Sequence, residues 1–256
     1  TWIYGKVFNE SQPQLIRVTP HLFPPYLDNA NVTPSIGGWG ELFNFTVEVW
    51  DQNGREVNVS LWYKHTIADD WVFLNWTNVS GCTPSSHCLV SITYKNFTKS
   101  DIDPDVFYMF NASNVDGTSE IYDYSTYYFE IEKDDVSVFT ESPGPGETVR
   151  RSQTTRFIGR VYDTDKGEYP ENAKGRFLFR SPTAADYSYY PETYSLSSNS
   201  TGHWWVDLDN TFWTCSEDQL GLWYWKVGTY GPDEQYYKEN ISSPQSFYLK
   251  GDLINK

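Results

Sequence analysis

Methionine occurs once in these 256 residues, cysteine three times, and lysine plus arginine 19 times against 34 for aspartate plus glutamate. Each shortage excludes something. The formal charge of −15 repels phosphate backbones, so nucleic acid is set aside as a partner, and anionic lipid with it. There is no run of 18 apolar residues, so no segment reads as a membrane-spanning helix. The chain opens Thr1-Trp2-Ile3-Tyr4 without methionine and without a signal peptide, as a mature or excised segment would. The four histidines, His21, His65, His87 and His203, show no H-x-x-x-H spacing, and C-x-x-C is absent, so zinc is not expected. G-x-S-x-G, G-x-G-x-x-G and the P-loop are missing too. No catalytic residue is assigned, and the expectation is a protein that is not an enzyme.

What is present in excess is the N-x-[S/T] sequon. Asn9, Asn31, Asn44, Asn58, Asn75, Asn78, Asn96, Asn111, Asn199 and Asn240 each begin one, and none has proline in the middle. A sequon is an acceptor for N-linked glycan outside the cytosol, and the sugar must sit in solvent. Ten of them, eight before residue 112, point to an extracellular, cell-surface glycoprotein with covalent N-glycans. Cys82 and Cys88 bracket a five-residue loop with proline and serine, which brings two Cβ atoms within bonding reach. In an oxidising compartment they are expected to form a local disulfide. Cys215 is left over, as a buried thiol or a link to another chain.

Aromatic residues make up 18% of the chain, and almost nothing reads as helix. Period-2 alternation recurs instead, as in Phe43–Trp50, Val57–Tyr63, Arg156–Tyr162, Trp204–Leu208 and Leu222–Val227, separated by turn residues such as Asp51-Gln52-Asn53-Gly54 and Asp163-Thr164-Asp165-Lys166-Gly167. Such alternation describes antiparallel sheets packed face to face. The pattern also repeats. Phe45-x-x-x-Val49-Trp50-Asp51 returns as Phe157-x-x-x-Val161-Tyr162-Asp163, Trp71-Val72-x-Leu74-Asn75 as Trp205-Val206-x-Leu208-Asp209, Val106–Phe110 as Leu222–Trp225, and Tyr127–Ile131 as Ser246–Leu249. The reading is all-β, with two tandem immunoglobulin-like sandwiches over 21–134 and 135–256 and an extended arm or extra strand over 1–20. A cysteine follows each tryptophan match, so the second copy is expected to have kept one member of the first copy's pair.

Asn58–Tyr63, Trp71–Trp76 and Phe110–Asn114 resemble Ig-like modules of archaeal cell-surface and S-layer glycoproteins, over residues 38–132 and more weakly in the second copy. The resemblance implies an extracellular structural or adhesive role, in a lattice, sheath or filament, and it brings no catalytic residues. The first 20 residues depart from it.

Two acidic turns, Asp101/Asp103/Asp105 and Asp163/Asp165/Glu168, put several oxygens close in sequence, as calcium loops do. Neither has full EF-hand spacing, so side chains bonding their own turn are the competing reading. Calcium is therefore the one cofactor considered. Among the aromatics, Trp205, Trp223 and Trp225 are expected in the core. Trp204 and Tyr224 have the opposite parity and are expected outside, with Tyr189 and Tyr236 as further contact residues. The first copy carries eight sequons with its arm and the second two, which leaves the second freer for contacts with copies of itself or other surface proteins. A carbohydrate-binding or adhesive module is the alternative function, and a viral envelope protein shares many of these features.

Overall fold

The computed structural model describes residues 23–115, 117–121, 127–213, 219–230 and 234–251. The arm over 1–20, Asn9 and Cys215 lie outside the described residues. The protein is all-β. Nine strands form a first sandwich: β1 Tyr26–Thr33, β2 Ile36–Gly38, β3 Phe43–Trp50, β4 Val57–Lys64, β5 Val72–Val79, β6 Cys88–Tyr94, β7 Asp103–Asn114, β8 Ser119–Ile121 and β9 Tyr128–Glu132. Nine more form a second: β10 Val136–Ser142, β11 Glu147–Arg150, β12 Thr155–Asp163, β13 Lys174–Arg180, β14 Ser188–Tyr190, β15 Leu196–Ser197, β16 His203–Leu208, β17 Gly221–Gly228 and β18 Gln245–Lys250.

The two sandwiches share one topology. In the first, a sheet β1-β3-β6 packs on a sheet β2-β9-β7-β4-β5, with β8 added beside β7. In the second, β10-β12-β16 packs on β11-β18-β17-β13-β14, with β15 beside β13. Even the parallel pairing recurs, β2 with β9 and β11 with β18, in otherwise antiparallel sheets. Both are immunoglobulin-like sandwiches, and each has its own core of alternating inward residues. The first is built on Phe43, Phe45, Val59, Leu61, Phe110 and Phe129. The second uses Phe157, Phe177, Trp204, Trp213, Trp225 and Phe247. Phenylalanine meets phenylalanine edge to face in the first, as at Phe45–Phe129 with centroids 5.2 Å apart, and tryptophan takes over in the second.

This topology corrects one of the sequence matches. Three of the four repeats fall on equivalent strands, β3/β12, β7/β17 and β9/β18. The fourth does not. Trp71-Val72 leads into β5, whose counterpart is β14, whereas Trp205-Val206 lies in β16, the counterpart of β6. Cys82 precedes β6 and Cys215 follows β16, so the two cysteines are not equivalent positions of the repeat. The disulfide itself is formed: Cys82 and Cys88 are joined, with Cα atoms 5.4 Å apart.

The predicted parity of β16 is also reversed. Trp204 is fully buried and its indole Nε1 donates to the Ala173 carbonyl at 2.8 Å. Trp205 is 45% exposed. Val206 and Leu208 are buried with Trp204, and one strand face cannot hold residues of both parities. Trp223 and Trp225 are buried as expected, and Tyr224 is half-buried.

Candidate functional site: sequon-bearing faces and an interdomain joint

Sequons in strands are placed by the alternation that builds the core. In N-x-[S/T] the first and third residues share a face, so an apolar middle residue turned inward sends the asparagine outward. Val32, Phe45, Val59, Phe97 and Ala112 are the middle residues of five sequons, and all are buried. Asn31, Asn75, Asn78, Asn96 and Asn240 belong to exposed residues, while Asn44, Asn58, Asn111 and Asn199 are half-buried.

Three of these acceptors meet on one outer face. Asn58 on β4 lies directly opposite Asn78 on β5, and its Nδ2 donates to the Asn78 Oδ1 at 3.1 Å. On the other flank, Asn111 on β7 is opposite Ser60, whose hydroxyl donates to the Asn111 carbonyl. Directly opposed Cβ atoms in such a ladder are about 4.5–5.5 Å apart, too close for two branched sugars to leave side by side unhindered. Occupancy at Asn58 and Asn78 is therefore expected to be anticorrelated on single molecules. Intact-peptide mass spectrometry of a disulfide-preserving digest reads this directly, and frequent double occupancy would reject it.

In the second sandwich the two acceptors differ. Asn240 Nδ2 already donates to the Val136 carbonyl at 2.6 Å, and its backbone N–H and carbonyl are tied to Thr229. Among the described residues, the Asn199 side chain is held through its oxygen. Oδ1 accepts from the Thr201 N–H, the Thr201 hydroxyl and the His203 N–H at 3.0, 2.9 and 2.9 Å. All three partners donate, which fixes the amide with Nδ2 turned away from them.

In both acidic turns, carboxylates accept hydrogen bonds from the protein. Asp163 ends β12 fully buried, and its Oδ1 accepts the N–H groups of Asp165 and Lys166 at 3.1 and 2.9 Å. Asp51, fully buried directly after β3, does the same, and its Oδ1 accepts the N–H groups of Asn53 and Arg55. Burial alone would raise the Asp51 pKa. The Arg55 guanidinium, these two N–H groups and the Asn114 amide hold it well below the ordinary carboxylate range. One device is thus used twice: a buried aspartate caps its own turn and pairs with a cation a few residues on. Asp101 accepts from the Thr98 N–H and hydroxyl and from the Tyr63 hydroxyl, while Asp103 accepts the Asp105 N–H. The carboxylate of Asp165 also comes within 4.8 Å of those of Glu41 and Asp134.

Glu41, Asp134 and Asp165 sit at the joint between the sandwiches, and there Lys166 supplies the positive charge. Its ammonium is hydrogen-bonded to Asp134 and, at 3.0 Å, to Asp163. It also lies 3.3 Å from the centroid of the Trp39 ring. Trp39 packs against both cores, its Nε1 donating to the Tyr236 carbonyl at 2.8 Å. Asp134 crosses between sandwiches through backbone bonds to Tyr236 and Lys238. Lys133 reaches the Glu234 carbonyl and Lys238 bridges Glu132 and Asp135. Glycine is required twice here. A Cβ on Gly38 would meet Asp134 Oδ1 at 2.5 Å, and one on Gly40 would run into the Lys166 stem. Burial, together with the Asp163 charge, outweighs Lys166 and raises the Asp134 pKa to about 7. Among the expected contact aromatics, Tyr236 is half-buried in this joint beneath the Lys99 ammonium, and Tyr189 stacks on Tyr230.

No protein-family model and no curated protein matches this chain. Among solved structures, red sea bream transglutaminase aligns over 87% of this chain and 31% of its own length, at 10% identity and TM-score 0.34. Trypsin-activated alpha-2-macroglobulin from Escherichia coli aligns over 91% of this chain and 17% of its own, at 13% identity and TM-score 0.30. The chain thus spans less than a third of either protein.

Proposed function

We propose that this chain is a structural subunit of an extracellular surface assembly, a layer, sheath or filament, that carries N-linked glycans and meets copies of itself or other surface proteins through its second sandwich. The observation that supports this most is the placement of the acceptors: in five sequons the alternation that fills the cores buries the middle residue and turns the asparagine outward, and Asn58, Asn78 and Asn111 share one sheet face. The joint adds to it. Trp39, Lys166 and Asp134 bind the two sandwiches in a fixed relation, which suits a unit that must repeat at constant spacing. The net charge of −15 keeps such a unit soluble until specific contacts form. Residues with a reaction to run have no part in this reading, and none is assigned. The test is electron microscopy of the chain purified from a glycosylating host, across concentration and calcium. Ordered sheets or filaments are the expected result. Monomers at every concentration, with glycans in place, would reject the assembly reading.

A further inference from the structure

The outer face of the sheet β10-β12-β16 holds a shallow hollow of about 290 Å³ lined by Glu141, Arg156, Ile158, Asn199, His203 and Trp205. Its floor is apolar. Trp205 is 45% exposed, and Ile158 stands directly opposite it in the ladder. Its rim is polar and already ordered: Arg156 makes a two-pronged pair with Asp207 at 2.8 Å, and Glu141 joins His203 at 3.0 Å. An indole face beside fixed hydrogen-bonding groups is the chemistry that holds a pyranose. The C–H face of the sugar lies on the electron-rich ring, and its hydroxyls reach carboxylate and guanidinium groups.

The hollow also contains an attachment point for that sugar. Asn199 lines it, and three donors among the described residues hold its side-chain oxygen, which turns Nδ2 away from them. Asn199 pairs with His203 across the turn, and Trp205 is two residues further along the same strand face, roughly 7 Å at about 3.3 Å per residue. A ring attached to Asn199 Nδ2 spans that gap. We propose that the first sugar of a glycan on Asn199 lies back on the protein, stacked on Trp205 and Ile158, so that this hollow is a built seat for the chain's own glycan. In the attachment step the amide nitrogen of Asn199 displaces a phosphate-linked carrier from the sugar C1. The N–C bond forms, the C–O bond to the carrier breaks, and the amide loses one proton. A phosphate-activated sugar and a glycosyltransferase of the secretory route supply the other half.

This inference rests on the glycoprotein reading, and its test separates the two. The chain is made in a glycosylating host grown on ¹³C-labelled sugar, as wild type, Trp205→Phe and Trp205→Ala, and occupancy at every sequon is read by mass spectrometry. Trp205 is exposed, so neither variant threatens the core. The expected result is an Asn199-linked sugar with cross-relaxation to the Trp205 indole and an upfield ring-current shift. That shift shrinks in Trp205→Phe and is lost in Trp205→Ala at unchanged Asn199 occupancy. An occupied Asn199 whose sugar shows no such shift overturns the seat and leaves the glycoprotein reading standing. Asn199 bare while other sequons are modified overturns the seat too, and sequons bare throughout overturn both. If N-acetylglucosamine added in solution perturbs Trp205 in the fully glycosylated protein, the hollow is open to foreign sugar and the tethered occupant is rejected.

Discussion

Lys166→Met is expected to cost about 3–5 kcal/mol, because it removes the cation from between two fully buried carboxylates. Methionine keeps most of the stem that packs over Trp39 and Gly40, so the loss reads the charge rather than a cavity. The cost should depend on pH. Asp134 holds its proton up to about 7 in the folded protein, against 3.8 for the ordinary carboxyl group. Between those values the folded state binds more protons than the unfolded state, so this group's contribution to stability is full below 3.8 and is lost as pH rises through 7. At pH 5 the pair in Lys166→Met can share a proton, and at pH 8 both carboxylates must ionise or unfold. The variant should therefore lose more at pH 8 than at pH 5. Asp134→Asn keeps the Lys166–Asp163 pair and should lose less than Lys166→Met, and its stability should fall less between pH 5 and pH 7 than the wild type's. Guanidinium unfolding at the two pH values measures all of this. A loss below about 1 kcal/mol for Lys166→Met, the range of an exposed pair, would show that the joint is solvated and does not fix the sandwiches.

How far the chain could be read in advance follows from which features are local. Alternation is local, so the strands β3, β4, β12 and β17 and the inward residues Phe45, Val59, Phe157 and Trp225 were legible. The buried-aspartate turn was visible as Asp51-x-x-Gly54 and Asp163-x-x-x-Gly167, and both copies carry a basic residue shortly after the aspartate, Arg55 and Lys166, that pairs with it. The repeat carried a warning of its own. Phe45 and Phe157 are offset by 112 residues and Val106 and Leu222 by 116, but Trp71 and Trp205, between them, by 134. One insertion cannot raise an offset and then lower it, so that match had to be accidental. The joint was not legible. Trp39, Asp134, Lys166 and Tyr236 come from four distant stretches, and no spacing rule brings them together. The hollow at Trp205 was hidden for another reason: alternation shows that one face of β16 is core but not which, and the expectation put Trp205 rather than Trp204 on that face.

Because Trp204 and Trp205 are neighbours of one residue type, exchanging each for alanine tests the parity of β16 with composition held constant. Trp204→Ala is expected to cost about 3–5 kcal/mol. The indole is fully buried among the second core's aromatics, and its Nε1 hydrogen bond to Ala173 goes with it. The surroundings cannot collapse into the gap easily. Gly175 faces the ring so closely that a Cβ there would stand 2.6 Å from Trp204 Cε2, and a glycine has no side chain to move in. Trp205→Ala removes a half-exposed ring and its cross-strand contact with Ile158, which is worth about 0.2–1 kcal/mol. The expected difference is several-fold in free energy, read as separate unfolding midpoints on protein lacking glycans, so that no sugar on Trp205 contributes. Equal costs would mean that β16 slips in register and presents either face to the core. The reverse order would return Trp205 to the interior and, with it, remove the floor of the hollow beside Asn199.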